Sequence, residues 1–208
     1  PEYFHERFNK KLRFLIRILF FPMELMCKST IKNANSLCSI SPDFLKWVQE
    51  YGGRRNIKSD FVCYLTNDEI KLFDEKFKNN FFIISYIGSL SESAIDLNFL
   101  KKLVKLLNEK EITYKIIIAG KGPLIDEILN IEKNNKNIDF LGLVSEEKIS
   151  EILNKSSLML APYPKSQTFE KSIPNKIQMS LAYGIPILTT LDGSTKKIIE
   201  KYNLGLYT

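Results

Sequence analysis

Histidine is nearly missing from this chain: His5 is the single one in 208 residues. A histidine-rich site within the chain is therefore excluded. Cysteine is scarce as well. Cys27, Cys38 and Cys63 are widely spaced, with no Cys-x-x-Cys pair and no Cys/His metal pattern. Three such thiols suit a reducing cytoplasm. No carboxylate cluster with metal-ligand spacing is present, so no metal is implied. Long apolar runs are lacking too. The stretch 7–27, "RFNKKLRFLIRILFFPMELMC", is interrupted by Arg13 and Arg17, which leaves it too short and too charged to span a bilayer. No signal-peptide pattern is found, and the chain opens on Pro1 and closes on Tyr207-Thr208; both ends read as cuts through a longer protein.

What remains is ordinary for a folded protein: 44% hydrophobic and 26% charged residues. The length fits one large or two modest domains. The net charge of +6 is uneven, with eleven Lys/Arg against six Asp/Glu in residues 1–60 and nineteen against eighteen in residues 61–208. That distribution, without a basic-aromatic motif, argues against a nucleic-acid partner.

The stretch 7–27 reads as an amphipathic helix that Pro22 kinks or ends. Its expected role is that of a helix of a domain otherwise missing from the chain, packed on its Leu/Ile/Phe face; the sharper alternative is peripheral contact with an anionic membrane surface. Residues 36–41 suggest a short buried strand. Ser41-Pro42 then opens a helix, with serine at the N-cap and proline at the first helical position, and Gly52-Gly53 ends it. Residues 1–65 form one unit in this reading, residues 66–80 a linker, and residues 81–208 a second domain.

From Phe81 onward the pattern is regular. Apolar runs "FFIISYIG", "YKIIIAG", "IDFLG", "SLMLAPY" and "IPILTT" alternate with helices over 96–109, 123–133, 174–183 and 194–202, and with one more that follows Ser145. Pro123 is expected to start the second helix of the series, and Ser145 to cap the third. Strands that are apolar throughout are covered on both faces. The fold class is therefore α/β, with a doubly wound parallel sheet in a Rossmann-like domain. Ligands of such sheets bind beyond the carboxyl ends of the strands.

Two segments draw attention, one at a strand end and one at a helix start. "IIIAGKGP" closes a strand with Gly120-Lys121-Gly122 before the helix at Pro123. It is neither a P-loop nor G-x-G-x-x-G, and alone it reads as a plain βα turn. "SIPNKIQMSLAYGIPI" places Asn175 and Lys176 in the first turn of a helix, where a cation opposes the helix dipole. Either Lys176 is an exposed lysine on a helix packed by Ile177, Leu181 and Ala182, or an anion binds there and receives backbone N–H groups, the dipole and the lysine charge together.

Four segments in order, "YIGSL", "IIIAGKGP", "IDFLGLVSEEKISEILNKSSLMLAPY" and "PNKIQMSLAYGIPIL", resemble the C-terminal donor-binding domain of GT-B glycosyltransferases of the family 4 retaining type. Residues 34–64, with "ANSLCSISPDFLKWVQEYGG", resemble the end of that family's N-terminal domain. The resemblance implies a Rossmann-like half of a GT-B fold, truncated at both ends. It also implies transfer of a sugar, as a hexosyltransferase, from a nucleotide-sugar donor to a glycan or lipid-linked acceptor. The setting would be surface polysaccharide assembly, cytoplasmic and at the inner face of the membrane, with no cofactor. It places Gly88 and Ser89 beside the donor phosphates and Gly120, Lys121 and Gly122 near the donor. Gly142, Leu143 and Val144 would frame the base, and Ser172, Ile173, Pro174, Asn175 and Lys176 would face sugar and phosphates.

Two departures accompany the resemblance. The family's two glutamates, separated by seven intervening residues, fall at Lys171 and Met179, with Glu170 one residue from the first. The Arg and Lys that clamp the diphosphate have no counterpart in "GSLSESAIDLN". Catalysis would then rest on Lys121, Lys176 and Glu170, with Met179 at the donor wall. The alternatives are a GT-B-like sugar-nucleotide epimerase and a catalytically degenerate Rossmann-like binding module.

Overall fold

The computed structural model describes residues 10–55, 57–63, 82–165 and 167–208. The chain divides into two compact units, Pro1–Tyr64 and Leu65–Thr208. The linker expected over 66–80 lies outside the described residues.

The first unit holds helix α1 (Lys10–Asn33), strand β1 (Cys38–Ser39), helix α2 (Pro42–Gly52) and strand β2 (Phe61–Val62). β1 and β2 pair in parallel. Ser41 caps α2 as expected: its Oγ accepts from Phe44 N at 3.1 Å, and Pro42 follows in the first turn. Gly53, at φ 61, closes the helix. Pro22 does not end α1, which runs on to Asn33. Proline removes a single amide donor, and the well-favoured Leu, Met and Lys residues that follow carry the ladder forward. The far end of α1 is held by Arg54. Its Nη1 donates to Ile31 O at 3.1 Å, Lys32 O at 3.2 Å and Ala34 O at 2.5 Å. Nη2 meets Asp60 Oδ1 at 2.7 Å and Nε meets Oδ2 at 2.9 Å. The pair is fully buried.

The second unit contains strands β3 (Phe82–Ile87), β4 (Tyr114–Ala119), β5 (Ile138–Phe140), β6 (Leu158–Ala161), β7 (Ile187–Thr189) and β8 (Gly205–Tyr207). All pair in parallel, in the order β5-β4-β3-β6-β7-β8. Interleaved are α3 (Leu97–Glu109), α4 (Ile125–Lys133), α5 (Glu146–Lys155), α6 (Gln167–Glu170), α7 (Asn175–Ala182) and α8 (Ser194–Tyr202). The α/β class with a doubly wound parallel sheet is thus realised. α4 starts two residues after Pro123, and β2, α6 and β8 are short elements that the sequence pattern did not mark.

The core follows from strand alternation. Ile84 and Tyr86 of β3 join Ile116 and Ile118 of β4 in one buried cluster. Ile87 faces the other side with Ala119, Ile152, Leu153 and Met159. The hydroxyl of Ser85, buried on that side, receives a hydrogen bond from Ser156 Oγ at 2.9 Å.

The order of the six strands reverses between β3 and β6. The first strand of the domain runs outward to β4 and β5 on one side, the later ones to β7 and β8 on the other. Loops leaving β3 and β6 therefore diverge and leave a crevice at their carboxyl ends.

Candidate functional site

A cavity of about 980 Å³ occupies that crevice. Its floor is the loop after β3. Gly88, Ser89, Ser91 and Ser93 line it, with Ser89 Oγ 3.3 Å from Ser91 Oγ and Ser91 Oγ 3.2 Å from Ser93 Oγ. Tyr86, pointing up from β3, holds this loop: its hydroxyl lies 2.6 Å from Ser89 O and 3.3 Å from Ala94 O. Burial pushes the Tyr86 phenol well above its ordinary range, so it stays a neutral donor.

Two helices supply the walls. α5 turns Glu146, Ile149, Ser150 and Leu153 toward the cavity, the i, i+3, i+4, i+7 spacing of one helical face. α7 turns Lys176 and Met179 toward it, and Tyr183, its C-cap, follows one turn on. The Ser150 and Tyr183 hydroxyls meet at 2.8 Å and join the two walls.

Lys176 is the centre of charge. It is not the exposed lysine that the helix start alone allowed; only 8% of it is accessible. Its Nζ lies 4.1 Å from the ring centre of Tyr86 and 4.4 Å from that of Tyr163, and donates to Ala94 O at 3.2 Å. Ring faces and a carbonyl suit an ammonium. No carboxylate among the described residues forms an ion pair with it. Burial lowers its pKa to about 7. Gly88 makes room for it, since a Cβ there would sit 3.3 Å from Lys176 Cε. Pro174, the N-cap of α7, offers no capping side chain, so no side chain from the cap position occupies the first-turn donors beside the lysine.

Of the residues singled out from the sequence, Gly88, Ser89, Pro174, Asn175, Lys176 and Met179 come together on this cavity. The others do not line it. Gly120 and Gly122 lie beneath the loop after β3: a Cβ on Gly120 would collide with Gly88 O, and one on Gly122 with Leu90 O. Lys121 has an exposed side chain, while its carbonyl accepts from Leu90 N at 2.9 Å. Gly142 O accepts from Gly120 N at 2.7 Å. Leu143 is 71% exposed, and Val144 packs on the cluster around Ile152 and Met159. Ile173 is buried in the core with Ile177 and Ile187, and Ser172 O accepts from Thr195 Oγ1 at 3.2 Å. Glu170 lines a separate cavity of about 130 Å³ with Thr190, Asp192 and Tyr207. The structure therefore does not group Lys121 or Glu170 with Lys176.

Sequence reasoning passed over Tyr86, Ser91, Ser93, Glu146, Ser150 and Tyr183. Helical spacing from Lys176 to Tyr183, and from Glu146 to Ser150, was the signal available for three of them. Tyr86 lies inside an apolar strand run and Tyr163 at a strand's carboxyl end; the strand order brings both rings to one lysine.

A family model described as "Glycosyl transferases group 1" matches residues 82–207. EpsF of Bacillus subtilis (strain 168), named as a glycosyltransferase, is 27% identical over 193 residues, covering 86% of this chain and 47% of EpsF. The chain thus spans about half the length of that relative. Among solved structures, a mutant form of S. aureus TarM, in complex with fondaparinux, alpha-GlcNAc-glycerol and UDP, superposes with a TM-score of 0.61 at 15% identity, over 86% of this chain and 35% of TarM. WaaG, a glycosyltransferase involved in lipopolysaccharide biosynthesis, gives a TM-score of 0.61 at 14% identity, over 82% of this chain and 48% of WaaG. At these identities the two structures show a shared fold.

Proposed function

Because this chain belongs to the group 1 glycosyltransferases, we propose that its second unit binds a nucleotide-sugar donor, with the diphosphate seated on Lys176. The sugar passes to a glycan or lipid-linked acceptor in surface polysaccharide assembly, with retention of configuration at the transferred carbon. The observation that carries this reading is a buried lysine without a carboxylate partner among the described residues, set at the point where the strand order reverses. A buried cation is costly unless a counter-charge arrives. A diphosphate supplies that charge.

The chemistry follows from the same geometry. As the glycosidic bond to the donor breaks, negative charge grows on the departing nucleoside diphosphate. Lys176 meets it in a desolvated setting, where a fixed charge acts more strongly than in water. One ammonium proton is held by Ala94 O, which leaves two for phosphate oxygens. The serine hydroxyls of the loop after β3 take the place of a basic clamp as neutral donors. The wall residue Met179 gives the cavity an apolar surface at the position of the family's second glutamate.

Lipid contact belongs to the same proposal. Phe14, Leu15, Leu19 and Met26 on α1 are more than half exposed, with Arg17 among them. Such a helix fits the surface of an anionic membrane, where the acceptor lipid would reside.

Calorimetric titration with UDP, GDP and ADP tests the donor site. One of them is expected to bind, and Lys176→Ala to weaken it by about 1.5–3 kcal/mol, the loss of a charge-assisted contact. Absence of binding at millimolar concentration, or binding that ignores the substitution, would overturn the reading and leave a degenerate binding module.

A further inference from the structure

A second charged residue, Glu146, lines this cavity. Helix α5 carries three glutamates at its cavity end, and they differ. Glu147 bonds back to the Ser145 hydroxyl, which holds its carboxyl below the ordinary range. Glu151 is shared by Lys148 and Lys155, each at 2.8 Å. Glu146 makes no ion pair or side-chain hydrogen bond among the described residues, and it is the one acidic residue on the cavity wall among them. Both Glu146 and Glu147 satisfy the positive end of the helix dipole. The dipole therefore does not explain why one of them faces the cavity.

A carboxylate in a cavity that receives a diphosphate weakens binding unless it meets donors of hydrogen bonds. The part of a nucleotide sugar that offers two adjacent donors is the ribose, through its 2′- and 3′-hydroxyls, and a carboxylate can accept both. The cavity is polarised accordingly. Lys176 on α7 stands over the loop after β3, while Glu146 begins the opposite wall, directly after the 142–144 segment. One turn further along the same face, Ser150 and Tyr183 pair their hydroxyls.

Resting on the donor-site reading above, we propose that Glu146 binds the ribose hydroxyls of the donor. It thereby sets the donor's direction in the cavity, nucleoside toward the start of α5 and diphosphate toward Lys176.

The test is a binding cycle on the full chain. Wild type, Glu146→Ala, Glu146→Gln and the control Glu147→Ala are each titrated with UDP, GDP and ADP, and with the 2′-deoxy and 3′-deoxy forms of the best-bound of the three. Wild type is expected to prefer the ribose form by about tenfold or more, the scale of a hydrogen bond to a charged group. Glu146→Ala should weaken the ribose form most and each deoxy form, which keeps one hydroxyl for the carboxylate, less, so that the three bind alike. Glu146→Gln should retain part of the preference, and Glu147→Ala all of it. An unchanged ribose preference in Glu146→Ala overturns the proposal. So does a change confined to the ranking of UDP, GDP and ADP, which would assign the carboxylate to the base. Failure of wild type to bind any nucleotide is a separate outcome: it removes the donor-site reading itself, and this proposal with it.

Discussion

Lys176 sets two demands against each other. Between its folded value of about 7 and the ordinary lysine value near 10.4, the unfolded chain binds the proton that the folded chain releases. Stability therefore rises with pH across that window, and the penalty is complete below it. Lys176→Met removes the penalty. It is expected to raise the thermal midpoint of the free protein at pH 6–7 by more than about 1 kcal/mol of stability, with the gain shrinking toward pH 10. Nucleotide affinity should move the other way. In wild type it falls as pH rises through 7, because the anion needs the ammonium form. Calorimetry at three pH values reads both effects. A variant that binds nucleotide as wild type does would show that Lys176 serves packing alone.

At the scale of elements, an ionic knot holds the described residues of the first unit together. α1 ends on Arg54, and Arg54 is in turn fixed by Asp60, whose carboxylate also accepts from Leu37 N and Gln49 Nε2, both at 2.9 Å. These bonds hold the Asp60 carboxyl well below the usual carboxylate range. Its contribution is complete above that range and is lost as pH falls beneath it. Asp60→Asn keeps the shape but removes the charge facing a buried guanidinium. It is expected to lower the thermal midpoint of the first unit at neutral pH, followed by the fluorescence of Trp47, the single tryptophan, on α2. The difference from wild type should narrow under strong acid. An equal midpoint at neutral pH would mean that the three carbonyls alone hold Arg54.

The whole molecule joins a unit with a strong basic excess to a nearly neutral one. No helix among the described residues is long and apolar enough to cross a membrane. Surface attachment through α1 would then depend on charge and salt. Sedimentation with vesicles is expected to retain the protein when they contain anionic lipid and to release it as salt is raised. Arg17→Glu should weaken retention severalfold, a basic residue near such a surface being worth about 1 kcal/mol. Equal retention on neutral vesicles would point to apolar adhesion instead. Nucleotide binding is a second whole-molecule effect. A ligand at a hundred times its Kd would add about 2.7 kcal/mol of stability if it binds only the folded chain.

The order of strands and helices along residues 82–202 was readable from apolar periodicity, because burial on a strand or helix face imprints itself locally. So were the Ser41 and Ser145 caps, whose partners lie three residues away. Lys176 was marked as unusual by its place in a first turn. Its burial between Tyr86 and Tyr163, residues 90 and 13 positions away in sequence, was decided by the strand order alone. The same order brings α5 beside α7, so that Glu146 shares a cavity with Met179. It also sends Glu170 to another cavity and sets Gly120 and Gly122 beneath the loop after β3, where their missing side chains admit its backbone. Periodicity records which face of one element is covered. It holds no record of which distant element does the covering, and a site at a crevice between strands is built from that information.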